Sequence, residues 1–131
     1  MIKEWLRPTR TVRAHCDLPC GVYDPAQARI EAESVKACQE KYQGNDDEIF
    51  RARAVAIKEQ RADMVKEHLW VLWTDYFKPD HLKAHPNLHQ LFWDATKEAG
   101  AAKKSTDPAQ GQKLLDLIGE IDKIFWETKK A

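Results

Sequence analysis

The sequence predicts an all-α fold, an antiparallel up-and-down four-helix bundle preceded by an amino-terminal metal-binding hook, and three features carry that expectation. Apolar residues recur at three- and four-residue spacing in four separate stretches. Two of the stretches open on Asp-Pro, at Asp24-Pro25 and Asp107-Pro108. No stretch alternates apolar and polar residues as a half-buried strand does, and short connections between amphipathic helices favour antiparallel neighbours.

In the first stretch Asp24 suits an N-cap and Pro25 the first helical position, where a missing amide hydrogen costs nothing. Ala28, Ala32, Val35, Cys38 and Tyr42 then form one stripe that ends before Gly44, so helix one is read as about 25 to 43. Asn45-Asp46 can cap the second helix, in which Phe50, Ala54, Ile57, Met64, Val65, Leu69 and Leu72 keep a near-heptad rhythm to about Tyr76. Pro79 and Pro86 prevent a continuous helix across residues 77 to 85 and predict a kinked connection. Leu88, Leu91, Phe92, Ala95 and Ala99 mark the third helix, which fades near Gly100. Asp107-Pro108 starts the fourth, with Leu114, Ile118, Ile121 and Phe125 as its stripe. The bundle is thus expected over about 25–127. Trp70, Trp73 and Trp93 cannot all enter one narrow seam, so some are expected at subunit contacts, where aromatics are enriched.

Charge divides the chain. Its 21 basic and 21 acidic residues cancel, which gives no overall field for nucleic acid or an anionic membrane, and neither partner is expected. Residues 1–14, however, carry Lys3, Arg7, Arg10 and Arg13 against Glu4, and end in Ala14. They lack the apolar run of a secretory signal, and no window approaches a membrane span. A cytoplasmic location is expected. In a reducing compartment the three cysteines read as thiols or metal ligands rather than as a disulfide framework.

The chemistry sits in His15-Cys16-Asp17-Leu18-Pro19-Cys20-Gly21-Val22-Tyr23-Asp24-Pro25, a loop that precedes the first helix. Cys-x3-Cys alone is weak, since zinc and iron-sulfur sites normally want four protein ligands and Cys38 has no cysteine neighbour inside helix one. Pro19 and Gly21 help the loop turn back, so that both thiolates can face one ion with backbone nitrogens in reach. Two thiolates and two nitrogens form a planar set that suits Ni(II) or Cu(II). A deprotonated Cys16 amide and the His15 amine are candidates for the nitrogens, and that amine exists only if the Ala14-His15 bond is cut. On this reading 1–14 is a prosegment removed on maturation, 15–24 the hook, and 15–131 the working domain.

The same residues resemble the nickel hook of nickel-containing superoxide dismutases, and the likeness extends over 15–131, including Asp75-Tyr76-Phe77-Lys78-Pro79 and the tail Ile121-Asp122-Lys123-Ile124-Phe125-Trp126-Glu127-Thr128. The resemblance implies a homohexamer of four-helix bundles, one nickel ion per subunit, a processing peptidase and superoxide as substrate. It also implies metal ligation by His15 (amine and, when oxidised, imidazole), Cys16 (thiolate and amide) and Cys20 (thiolate). Asp17 and Tyr23 match hook residues beside the open face of the metal, Tyr76 and Lys78 match residues near the substrate approach, and Glu31 and Arg61 match groups that orient the His15 ring. The proton source stays open among Tyr23, bound water and a protonated thiolate.

Other residues are read structurally. Cys38 is expected to be a small core hydrophobe. His81, His85 and His89 have helical spacing, but Pro86 places His85 ahead of helix three, so the trio is read as surface and connection. Two rival functions use the same hook: a nickel or copper carrier with exchangeable ligands, and a structural module with a zinc-stapled turn.

Overall fold

The computed structural model describes residues 21–130, in which helix α1 spans Ala26–Gln43, α2 Glu48–Val71, α3 Pro79–Ala84, α4 Leu88–Lys104 and α5 Pro108–Lys130. The four long helices form a ring in chain order: α1 packs on α2 and α5, and α4 on α2 and α5. This is the expected up-and-down bundle. None of the described helices is long and apolar enough to cross a membrane.

Small residues let the helices approach closely. Ala28, Ala32, Ala62, Ala95, Ala99 and Ala102 are fully buried, and Leu69, Leu88, Phe92, Leu114, Ile118, Ile121 and Phe125 fill the space between them. Where α1 meets α5 only glycine fits at 111, because a Cβ there would lie 2.5 Å from Gln39 Oε1 and 2.7 Å from Lys36 Cβ.

Several boundaries depart from the sequence expectation. Helix α1 begins one residue late, with Pro25 at the cap position, although the Asp24 carboxylate still accepts the Ala26 amide hydrogen at 2.9 Å. Asp47, not Asn45-Asp46, caps α2 by accepting from Phe50 N at 2.9 Å, while Asn45 Oδ1 accepts from Asp47 N. The second helix ends at Tyr76 as expected, but its last turn, Leu72–Tyr76, is π-helical, and the connection that follows contains α3, because Pro79 starts a helix as readily as it interrupts one. Helix α4 passes through Gly100 to Lys104. Phe50 and Ile57 belong to the exposed face, and the α2 seam runs instead through Ala54, Lys58, Ala62, Val65 and Leu69. Cys38 is half-buried rather than in the core.

Gly100 does not stop α4 because the turn beyond it is fastened. Gln39 donates to the Ala102 and Ser105 carbonyls at 3.2 and 3.1 Å and accepts from Gly111 N at 3.1 Å. Lys58, only 3% exposed, donates to the Lys103 and Ser105 carbonyls at 2.6 and 2.8 Å. The carbonyls that a helix end leaves without partners are thereby met by side chains of α1 and α2. This leaves the opposite end of the bundle, where α1 begins and α2 and α5 end, for the functional site.

Candidate metal centre and its approach

The proposed ligands His15, Cys16 and Cys20, and Asp17 beside them, lie outside the described residues. Description begins at Gly21, whose φ of +74° puts it in the left-handed region that glycine adopts without a Cβ penalty. Two thiolates with an adjacent peptide and a histidine form a soft, anionic donor set, which fits Ni(II). Among the described residues no cluster of three His, Cys, Asp or Glu side chains offers a competing metal site.

Gly21 and Tyr23 form one wall of a cavity of about 410 Å³ whose other walls are Asp75, Tyr76, Lys78, His81, Thr128 and Lys129. They arrive from several elements, each for a local reason. The π-helical turn inserts an extra residue into the end of α2 and turns Tyr76 toward Tyr23, at 5.5 Å between ring centres. Lys78 sits in extended backbone between that turn and α3. Thr128 and Lys129 belong to the last turn of α5.

Tyr76 is held on all sides. Its ring packs on Phe125 at 4.5 Å, edge-on to Phe77 at 5.0 Å and parallel to His81 at 5.8 Å, with Lys129 Nζ 5.1 Å above it. Its hydroxyl meets Thr128 Oγ1 at 2.7 Å. His81 Nδ1 accepts the Lys78 amide hydrogen at 3.1 Å, which leaves the hydrogen of the neutral ring on Nε2. Lys78 and Lys129 place two cations beside the cavity against the single carboxylate of Asp75.

Glu31 and Arg61 form an ion pair between α1 and α2, with Nη1 3.1 Å from one carboxylate oxygen and 3.3 Å from the other. The carboxylate is well shielded, at 13% exposure, and the guanidinium less so, at 40%. Tyr23, Tyr76 and Lys78 are brought together around the cavity, whereas Glu31 and Arg61 do not line it.

Four wall residues, Asp75, His81, Thr128 and Lys129, are not among the site residues expected from the sequence. His81 was read as surface, yet it lines the cavity, while His85 approaches Glu127 at 3.6 Å and His89 accepts from Trp73. Thr128 and Lys129 carry no signal in sequence except their place one turn beyond Phe125. Trp70, Trp73, Trp93 and Trp126 are all exposed.

Comparison with known proteins agrees with this geometry. The family model described as nickel-containing superoxide dismutase matches residues 10–129. Two relatives, each named superoxide dismutase [Ni], are 66% identical (Streptomyces coelicolor) and 65% identical (Streptomyces seoulensis) over 131 residues, all of this chain and all of theirs. A native nickel superoxide dismutase structure superimposes with a TM-score of 0.88 at 69% identity, covering 89% of this chain and 100% of that one. An apo structure of a nickel superoxide dismutase gives 0.83 at 68% identity, covering 85% and 100%. The chain belongs to the nickel-containing superoxide dismutase family.

Proposed function

We propose that the chain acts as a nickel superoxide dismutase once the Ala14-His15 bond is cut, with His15, Cys16 and Cys20 as the metal ligands and the Tyr23–Tyr76 cavity as the route by which superoxide arrives. The observation that carries this reading is the cavity itself: Gly21 and Tyr23, at the described end of the hook, line a pocket with two lysines and two tyrosines among its walls. Superoxide disproportionates into dioxygen and hydrogen peroxide. Nickel alternating between its +2 and +3 states supplies the electron acceptor and donor for the two half-reactions, and anionic thiolate and amide donors make the higher state accessible.

The protein's own groups have separate tasks. Lys78 and Lys129 raise the local concentration of a small anion at the cavity. Tyr23, a hook residue that lines the cavity together with Gly21, is the group we assign to pass a proton toward departing peroxide. Asp17 would stand beside it. Glu31, with its orientation fixed by Arg61, would accept a hydrogen bond from the His15 ring and hold that ring near the metal, as outer groups orient ligand imidazoles generally.

Cleavage before His15 is supported by length. The solved nickel superoxide dismutase chain corresponds, over its whole length, to 89% of this chain, the share that residues 15–131 make up. The wider organisation in this reading is a cytoplasmic homohexamer with one nickel per subunit and a peptidase that removes residues 1–14; the exposed tryptophans support subunit contacts as one part of it.

The test is to prepare protein beginning at His15, load it with nickel or with zinc, and follow superoxide decay by stopped flow. Rapid decay with nickel and none with zinc is expected. Equal decay with both metals, or none with nickel, would contradict the assignment.

A further inference from the structure

The contact between the Tyr76 and Thr128 hydroxyls could take its hydrogen from either oxygen. The Thr128 hydrogen, however, is already committed. Thr128 Oγ1 lies 2.5 Å from the Phe125 carbonyl oxygen, which has no hydrogen to give, so the threonine must donate there. Only lone pairs remain on Thr128 for Tyr76. We infer that Thr128 is a positioning residue that fixes the direction of the Tyr76 hydroxyl, committing its hydrogen to Thr128 Oγ1 and leaving an oxygen lone pair as what Tyr76 offers to the rest of the cavity.

The surroundings leave the phenol little other freedom. With Phe125, Phe77 and His81 packed around the ring, rotation about the C–O bond is the one easy motion left. The hydroxyl then distinguishes the species passing through the cavity, an argument that rests on the proposed superoxide chemistry. A lone pair repels the superoxide anion, which is left to Lys78, Lys129 and the Nε2 hydrogen of His81. The same lone pair accepts a hydrogen bond from neutral hydrogen peroxide or from water. Tyr76 therefore steers the anion toward the lysine side and anchors protonated species on its own side. It cannot donate into the cavity without giving up its bond to Thr128, which leaves proton delivery to Tyr23 or to water.

The test uses nickel-loaded, reduced protein beginning at His15, titrated with azide, a small anion carrying the same charge as superoxide. Binding is read from inhibition of superoxide removal and, independently, from the amide NMR shift of Lys78, whose N–H bonds to His81. In Thr128→Val the hydroxyl of Tyr76 is released, turns inward and donates to the anion, so azide should bind about tenfold tighter, the scale of a hydrogen bond to a charged group. Thr128→Ser should keep the parent affinity, and adding Tyr76→Phe to Thr128→Val should remove the gain. A merely loosened site would bind azide more weakly. Unchanged or weaker binding in Thr128→Val, or a gain that survives loss of the Tyr76 hydroxyl, would overturn the inference. Should the parent protein remove no superoxide, the functional proposal falls, while the NMR titration still decides the role of Thr128.

Discussion

Glu31 and Arg61 meet at 3.1 Å across the seam between α1 and α2, and the carboxylate is the more shielded partner. Removing Arg61 leaves that carboxylate largely out of water without a counter-charge. Arg61→Ala should cost about 1–2 kcal/mol in urea unfolding of the metal-free protein. Glu31→Gln, which keeps the shape and a hydrogen-bonding oxygen, should change stability little. It should nonetheless slow superoxide removal by about ten- to a hundredfold at unchanged nickel content, as loss of a ligand-orienting group does. Equal activity of Glu31→Gln and the parent would remove Glu31 from the His15 account.

Lys78 stands at the cavity wall in extended backbone between the π-helical turn and α3. Lys78→Gln should lower kcat/KM a few-fold, and the loss should shrink as ionic strength rises and screening removes the parent's advantage. The check is stopped-flow decay at several salt concentrations. A loss independent of salt would point to a structural effect instead.

Lys58 is a buried cation that donates to two carbonyls at the end of α4. Burial pulls its ammonium below the ordinary lysine value of 10.5. The unfolded chain thus binds more protons than the folded one between the lowered value and 10.5, and in that window stability contributed by this site rises with pH. The neutral amine keeps two hydrogens, enough for both carbonyls. Lys58→Met should destabilise by about 2 kcal/mol near neutrality because both carbonyls lose their donor. The gap between parent and variant should widen as pH climbs toward 10.5, measured by denaturant unfolding. A gap that narrows with pH would contradict this.

Cys38 is the one cysteine among the described residues, and burial pushes its thiol up from 9.0, against the pull of Arg61, Lys41 and Lys58. It should react slowly with iodoacetamide at neutral pH, since the thiolate is the nucleophile. Cys38→Ala should bind nickel and remove superoxide as the parent does, whereas Cys16→Ser and Cys20→Ser should each lose the metal. Nickel content by elemental analysis separates the two outcomes.

The four long helices were legible because each carries a stripe whose period survives tertiary packing, as Leu114, Ile118, Ile121 and Phe125 show. Phe50 and Ile57 misled because α2 is apolar on more than one face: the periodicity was real, but Lys58 and the alanines occupy the seam. The Asp-Pro signals placed the starts of α1 and α5 to within one residue, while Asn45-Asp46 missed by one because three successive residues there can cap. The hook's donor types narrowed the metal to Ni(II) or Cu(II), the ligand set came from resemblance, and those ligands lie outside the described residues. Most of the cavity wall left no period in the sequence: Lys78 was named through resemblance, but His81, Thr128 and Lys129 join it only through a π-helical turn and a short proline-started helix. Tyr76 was found by resemblance, but its partner Thr128 lies 52 residues away and is joined to it only by the fold.

The central claim is that the amino nitrogen of His15, freed by cleavage, completes the nickel site. Its most direct measurement compares uncut chain with protein beginning at His15, both exposed to the same nickel, for metal retained after gel filtration and for superoxide decay. The account predicts that only the cut protein retains nickel and removes superoxide. Equal nickel and equal decay in the uncut chain would contradict it.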